Sequence, residues 1–170
     1  MVSRRSSLAA AVALAVASLG SASRPQALRP LGPDLAALVH DAIADRFSAG
    51  DIPDLNLIED RKHVLVLNEM RTARLRLTPD ALPQSEKTTF DLISLEEAET
   101  QASRSQRALA YIAVDEPQID GAVATLSIGV DIATPRLAGM VKLCCCSGRG
   151  EFRRTPDGWI FQKWGQMTCS

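Results

Sequence analysis

Apolar residues recur through Leu35, Leu38, Val39, Ala42, Ile43 and Phe47 at the three- and four-residue steps of one helical face. The spacing predicts a helix over residues 33–49. Pro33 suits the first helical position, Asp34 the positive end of the helix dipole, and Gly50 the stop. His40, Asp41 and Asp45 fall off the apolar stripe. A His beside two Asp raises the question of metal or acid/base chemistry, but such a trio is far more often a solvated helix face. Residues 51–61 read as loop, broken by Pro53, and His63-Val-Leu-Val-Leu67 as a buried strand. Arg74-Leu-Arg-Leu77 alternates like a half-exposed strand stopped by Pro79. Ser94-Leu-Glu-Glu97 has the form of a capping box opening a second helix to about Arg107. Its apolar stripe is thin (Leu95, Ala98, Ala102), so it should lie across a sheet with one face wet. Glu96, Glu97 and Glu99 near its start and Arg104 and Arg107 near its end suit the dipole, so these charges need no ligand to explain them.

Strands dominate the second half. Residues 108–114 form one strand, with Tyr111, and Asp115-Glu-Pro117 is expected to turn the chain. Residues 122–133 give the strongest strand pattern. Ala122, Ala124, Leu126, Ile128, Val130 and Ile132 make an unbroken apolar row; Val123, Thr125, Ser127, Gly129 and Asp131 make the more polar one. Thr134-Pro135 ends it. Residues 139–153 and 159–168 are two further strands, joined by Thr155-Pro156-Asp157-Gly158, with Pro and Gly at favoured turn positions. The expected fold is α+β. An N-terminal amphipathic helix and a second helix pack on a curved, mainly antiparallel sheet whose last four strands are consecutive hairpins.

The 170 residues suit a single domain, and 46% apolar with 23% charged is an ordinary globular balance. With 19 basic and 20 acidic residues there is no excess charge to neutralise phosphates, and at 4% aromatics there is no stacking platform, so nucleic acid is not an expected partner.

Residues 1–23 read as a secretory signal: Arg4 and Arg5, then an apolar run from Leu8 to Leu19, then Ser21-Ala22-Ser23 for a peptidase. That run is too short to span a bilayer, which takes about 20 residues. An uncleaved anchor stays open as the alternative, as does twin-arginine export through Arg4-Arg5. Residues 24–32, with Pro25 and Pro30, read as a leader or linker, and residues 33–170 as the domain. The exported protein is expected in a periplasmic or extracellular setting, with no membrane span after processing.

Export places Cys144, Cys145, Cys146 and Cys169 in an oxidising compartment, where a structural disulfide is the favoured reading over metal or redox chemistry. Three adjacent Cys cannot readily converge on one metal, because neighbours on a strand point to opposite faces. If Arg154 pairs with Trp159, then Phe152 faces Phe161, Gly150 faces Lys163 and Cys144 faces Cys169, so the expected bond is Cys144–Cys169. A loop longer by one residue would bring Cys145 opposite Cys169, and a bulge in Ser147-Gly-Arg-Gly150 would shift the count by one.

The order of elements resembles the nuclear-transport-factor-2-like superfamily. So do the entry Ile119-Asp-Gly-Ala-Val-Ala124 and the hairpin Phe152-Arg-Arg-Thr-Pro-Asp-Gly-Trp-Ile-Phe161. The likeness covers roughly residues 33–167; a cystatin-like helix-on-sheet layer is the second candidate fold. It implies a sheet curved around helices into a cone. The family holds isomerases, dehydratases, epoxide hydrolases, cyclases and non-catalytic binding or assembly domains, so fold does not choose function. Its catalytic members place polar or acidic groups inside the cone. Here the apolar row of residues 122–132 offers none, and no family catalytic residue carries over.

No nucleophile elbow, phosphate loop or dinucleotide fingerprint is present. The expectation is therefore an exported domain that binds a small apolar ligand or a protein partner, without a cofactor or metal, and with homodimerisation through a sheet edge as a possibility. Tyr111, Trp159, Phe161 and Lys163 are the ligand-pocket candidates, although an aromatic row is more often core. The alternative is a cone-fold enzyme working by acid/base chemistry through Tyr111 and Lys163.

Overall fold

The computed structural model describes residues 27–135 and 145–169; the expected signal segment and Cys144 lie outside them. In chain order come strand β1 (Arg29–Pro30), helix α1 (Pro33–Ala49), strands β2 (His63–Leu67), β3 (Glu69–Met70), β4 (Leu75–Arg76) and β5 (Thr89–Ile93), helix α2 (Leu95–Ser105), and strands β6 (Leu109–Asp120), β7 (Val123–Ala133), β8 (Cys146–Thr155) and β9 (Gly158–Cys169). The fold is α+β. A six-stranded sheet runs β5-β2-β6-β7-β8-β9, and a small sheet runs β1-β4-β3. β6 to β9 are successive antiparallel hairpins, whereas β2 is parallel to both β5 and β6.

Alternation along the strands sends side chains to two separate cores. On one face, Leu38, Val39, Ala42 and Ile43 of α1 meet Val64, Val66, Ile112, Val114, Ala124, Leu126, Ile128, Val130, Phe152 and Trp159. Those four α1 residues are fully buried. Each of the larger ones contributes about 1.5–3 kcal/mol. On the opposite face, Ala98 and Ala102 of α2 cover Leu67, Ile93, Tyr111 and Ala133. The capping box forms as expected: Glu97 N–H donates to Ser94 Oγ at 3.2 Å, and Ser94 N–H donates to Glu97 Oε2 at 2.9 Å. Those bonds hold the Glu97 carboxyl below its ordinary range, the backbone donor contributing most.

Several expectations need correction. Asp115-Glu116-Pro117 does not turn the chain. It lies inside β6, where the register to β7 shifts between Asp115 and Gln118 and Glu116 takes φ 50°. That is a bulge, so β6 runs on to Asp120. The expected strand at Arg74–Leu77 forms as β4, over Leu75–Arg76, but β1, β3 and β5 went unread because each offers five residues or fewer of pattern, and β5 gains its partner only through a parallel crossover. The leader is not merely a linker: Arg29–Pro30 pairs with β4, and Leu31 packs on the α1 core.

The last hairpin starts in the expected register. Arg154 pairs with Trp159 and Phe152 with Phe161. Two register shifts follow, one between Glu151 and Phe152 and one between Gly148 and Gly150. Gly150 consequently faces Trp164 instead of Lys163, and Cys146, not Cys144, comes opposite Cys169. The bond formed is Cys146–Cys169. Cys145 carries no free thiol.

Asp41 is more than a solvated charge. Trp159 N–H donates to its Oδ2 at 2.7 Å, and His40 Nδ1 lies 3.0 Å from its Oδ1. The carboxylate thereby ties α1 to the start of β9. Gly158 makes room for it, since its φ is 125° and a Cβ there would lie 2.6 Å from Asp41 Oδ2. Asp34, also on α1, pairs with Arg154 in a more exposed contact.

Asp41→Ala should lower unfolding stability by about 1–3 kcal/mol, because it strands a backbone N–H, while Asp34→Ala should cost less than about 1 kcal/mol. Urea unfolding of the two variants makes the comparison. Non-reducing peptide mapping should recover a Cys146–Cys169 linkage. Cys169→Ala should lose about 3 kcal/mol in the chain-entropy account.

Candidate functional site

α2 touches β6 and β7, on the face opposite α1. Further along that face, Ser147, Arg149 and Glu151 of β8 are half-buried, and Lys163, Gln166 and Thr168 of β9 are exposed. The strand registers set side chains in rows across this surface. One row joins Ala113, Gly129, Ser147 and Thr168. Its first three members have a small side chain or none. The row on one side carries Tyr111 and Asp131; the row on the other carries Asp115, Ser127 and Arg149. Short side chains between longer ones leave a notch of about 290 Å³, lined by Asp115, Glu116, Ser127, Asp131, Ser147 and Thr168 among others. Gly129 forms its floor. A Cβ there would lie 2.4 Å from the Cys146 carbonyl oxygen, so only glycine lets β8 come this close.

Hydrogen bonds hold the charged groups of the notch. Asp115 accepts from the Thr72 hydroxyl at 2.9 Å and from the Glu116 N–H at 2.8 Å, which fixes the bulge. Arg149 pairs with Glu116 at 3.1 Å and reaches the Thr125 hydroxyl at 3.4 Å. Asp131 accepts from the Ile132 N–H at 2.8 Å and from the Tyr111 hydroxyl at 3.4 Å. Burial pushes the Tyr111 phenol well above its ordinary value near 10, and the Asp131 charge pushes it further the same way. Tyr111 therefore keeps its proton and serves as a hydrogen-bond donor. Glu116 and Cys145, both lining the notch, have positive φ values of 50° and 129°. Such backbone is costly for residues other than glycine and tends to collect at functional sites.

The four residues expected to line a pocket do not come together. Trp159 is buried in the α1-side core, and Phe161 packs against that core with the Arg46 guanidinium 3.8 Å above its ring. Tyr111 lies on the other face under α2. Lys163 is exposed on that face and pairs with Glu151 at 3.3 Å. Met167, further along β9, is about half exposed. Reasoning from sequence separated the polar row of β7 from its apolar row but could not align Gly129 with Ala113 and Ser147. Among the described residues no cluster of His, Cys, Asp or Glu is arranged to hold a metal ion, and no helix is long and apolar enough to cross a membrane.

Compared with protein-family models, curated proteins and solved structures, the chain matches none.

Tyr111 is the single tyrosine, so the tyrosinate absorbance of the protein reports on it alone. Its folded pKa is raised, so the folded state holds a proton that the unfolded chain releases. This contribution to stability is full below the ordinary phenol value near 10 and is lost as pH rises above it. Ultraviolet titration should show no tyrosinate in the folded protein near pH 10, with absorbance rising later, together with loss of near-ultraviolet dichroism. Titration at the ordinary value in intact protein would mean the phenol is not buried as described.

Proposed function

We propose that this chain is an exported binding module and that the notch on the β6–β9 face holds its ligand. The observation that carries this reading is the row Ala113-Gly129-Ser147, which keeps one strip of sheet bare between taller polar rows. A sheet face that served only stability would gain from larger β-branched side chains at Ala113 and Ser147, whereas Gly129 is held to glycine by the close approach of β8. Strained backbone at Glu116 and Cys145 beside the notch points the same way. The Cys146–Cys169 bond supports an oxidising destination, in keeping with the signal-like residues 1–23. The likeness to nuclear-transport-factor-2-like domains remains part of the proposal, in its non-catalytic binding form.

This reading moves the site away from Trp159 and Phe161 and replaces the expected apolar ligand with a polar one. Homodimerisation through a sheet edge gains no support. β9 is an edge strand, but two register shifts interrupt it and it carries Lys163, features that oppose edge-to-edge pairing. The enzyme reading draws on one observation, the protonated hydroxyl of buried Tyr111 beside Asp131, which itself lines the notch. In that case Tyr111 would act as a proton donor, without Lys163.

Native mass spectrometry of the exported protein should detect a bound small molecule. Ala113→Leu, which fills the notch from a strand position, should lose that mass while melting within a few degrees of the parent. Retention of the ligand by Ala113→Leu would move the site elsewhere. Turnover of the recovered ligand, abolished in Tyr111→Phe, would favour the enzyme reading.

A further inference from the structure

The polar groups of the notch divide into those already engaged and those left open. Its carboxylates are engaged: Asp115 by Thr72 and the Glu116 amide, Asp131 by Tyr111 and the Ile132 amide, and Glu116 by Arg149. The hydroxyls of Ser127, Ser147 and Thr168 and the amide of Gln166 have no side-chain hydrogen-bond partner among the described residues. Ser127, Ser147, Thr168, Glu116 and Arg149 also border a second hollow that reaches Gln166. The Glu116–Arg149 pair extends from there to a third hollow beside Pro117 and Gln118. Glu116 borders all three hollows and Arg149 the second and third, so they adjoin as one shallow groove.

We infer that the ligand of this groove is an uncharged polyhydroxylated molecule of monosaccharide size. The inference rests on the binding-module reading and specifies its ligand. Charge argues for neutrality from both directions. Among the described residues of the groove, an anion would approach Asp115, Glu116 and Asp131 with Arg149 as the one compensating cation. A cation would meet Arg149 and would have to compete with the donors that already occupy the carboxylates. The open groups are hydroxyls and an amide, each able to donate and to accept. A polyol has the same double capacity at every oxygen, so each open group finds a partner in either sense without an uncompensated buried charge. Arg149, held by Glu116 and Thr125, donates to the ligand from an already fixed position, which limits the entropy lost on binding. The notch itself, about 290 Å³, admits one sugar ring.

The test is an amide-resolved NMR titration of the oxidised protein with glucose, mannose, galactose and myo-inositol, and in parallel with inorganic phosphate and putrescine. The expected result is saturable shifts at Ser127, Gly129, Ser147 and Thr168 with at least one polyol and none with the charged probes. Arg149→Met and Thr168→Val should each weaken the polyol about tenfold, the effect of losing a hydrogen bond to a charged or well-placed donor. Lys163→Gln, outside the groove, should leave it unchanged. Saturable shifts there with phosphate or putrescine alone would overturn the inference, as would failure of every polyol. In either case a bound molecule of another class, recovered by native mass spectrometry and lost in Ala113→Leu, would leave the binding-module reading intact. Polyol shifts confined to other residues would remove both.

Discussion

The packing of α1 against one face of the hairpin sheet is the contact on which the remaining structure depends. Leu38, Val39, Ala42 and Ile43 give up all solvent contact against residues drawn from β2, β6, β7, β8 and β9. Because strands alternate, committing Ile112, Val114, Ala124, Leu126, Ile128, Val130 and Phe152 to that face sends their neighbours to the other. The polar surface that forms the notch is therefore a consequence of how the core is built. Asp41 adds direction to this apolar contact. By accepting the Trp159 N–H it fixes where the last hairpin begins relative to the helix.

Irregularities in the strands then decide which residues meet. β6 continues through the bulge at Glu116 to Asp120, and Glu116 pairs with Arg149 of β8. The shifts in the last hairpin bring Cys146 to Cys169 and so close the chain end next to Ser147 and Thr168. A bulge adds one residue to one strand, so each shift changes every pairing beyond it. Two covalently remote features, the disulfide and the groove, are in this way products of the same ladder.

Both helices and the β6–β9 succession were legible in the sequence because each rests on local rules. The period of α1 with Pro33 and Gly50, the reciprocal bonds of Ser94 and Glu97, and the alternation from Ala124 to Val130 involve residues near one another in the chain. The strand Thr89–Ile93 was not legible. Five residues carry little periodicity, and its stability comes from a parallel neighbour more than twenty residues away. The first pairs of the last hairpin were readable from the placement of Phe152 and Phe161 on one face; the disulfide partner was not, because nothing local marks the two shifts between them and Cys169.

The sequence by itself determined the apolar stripe of α1, where the helices start and stop, and that β7 has one apolar and one polar row. Only the tertiary structure decided which polar residues stand together. Ala113, Gly129, Ser147 and Thr168 come from four strands, and they share a row because of pairing registers that depend on bulges and on the docking of α1. Burial is a property each residue carries in its own chemistry. A binding surface is a relation among residues distant in the chain, and that relation exists only once the strands are aligned.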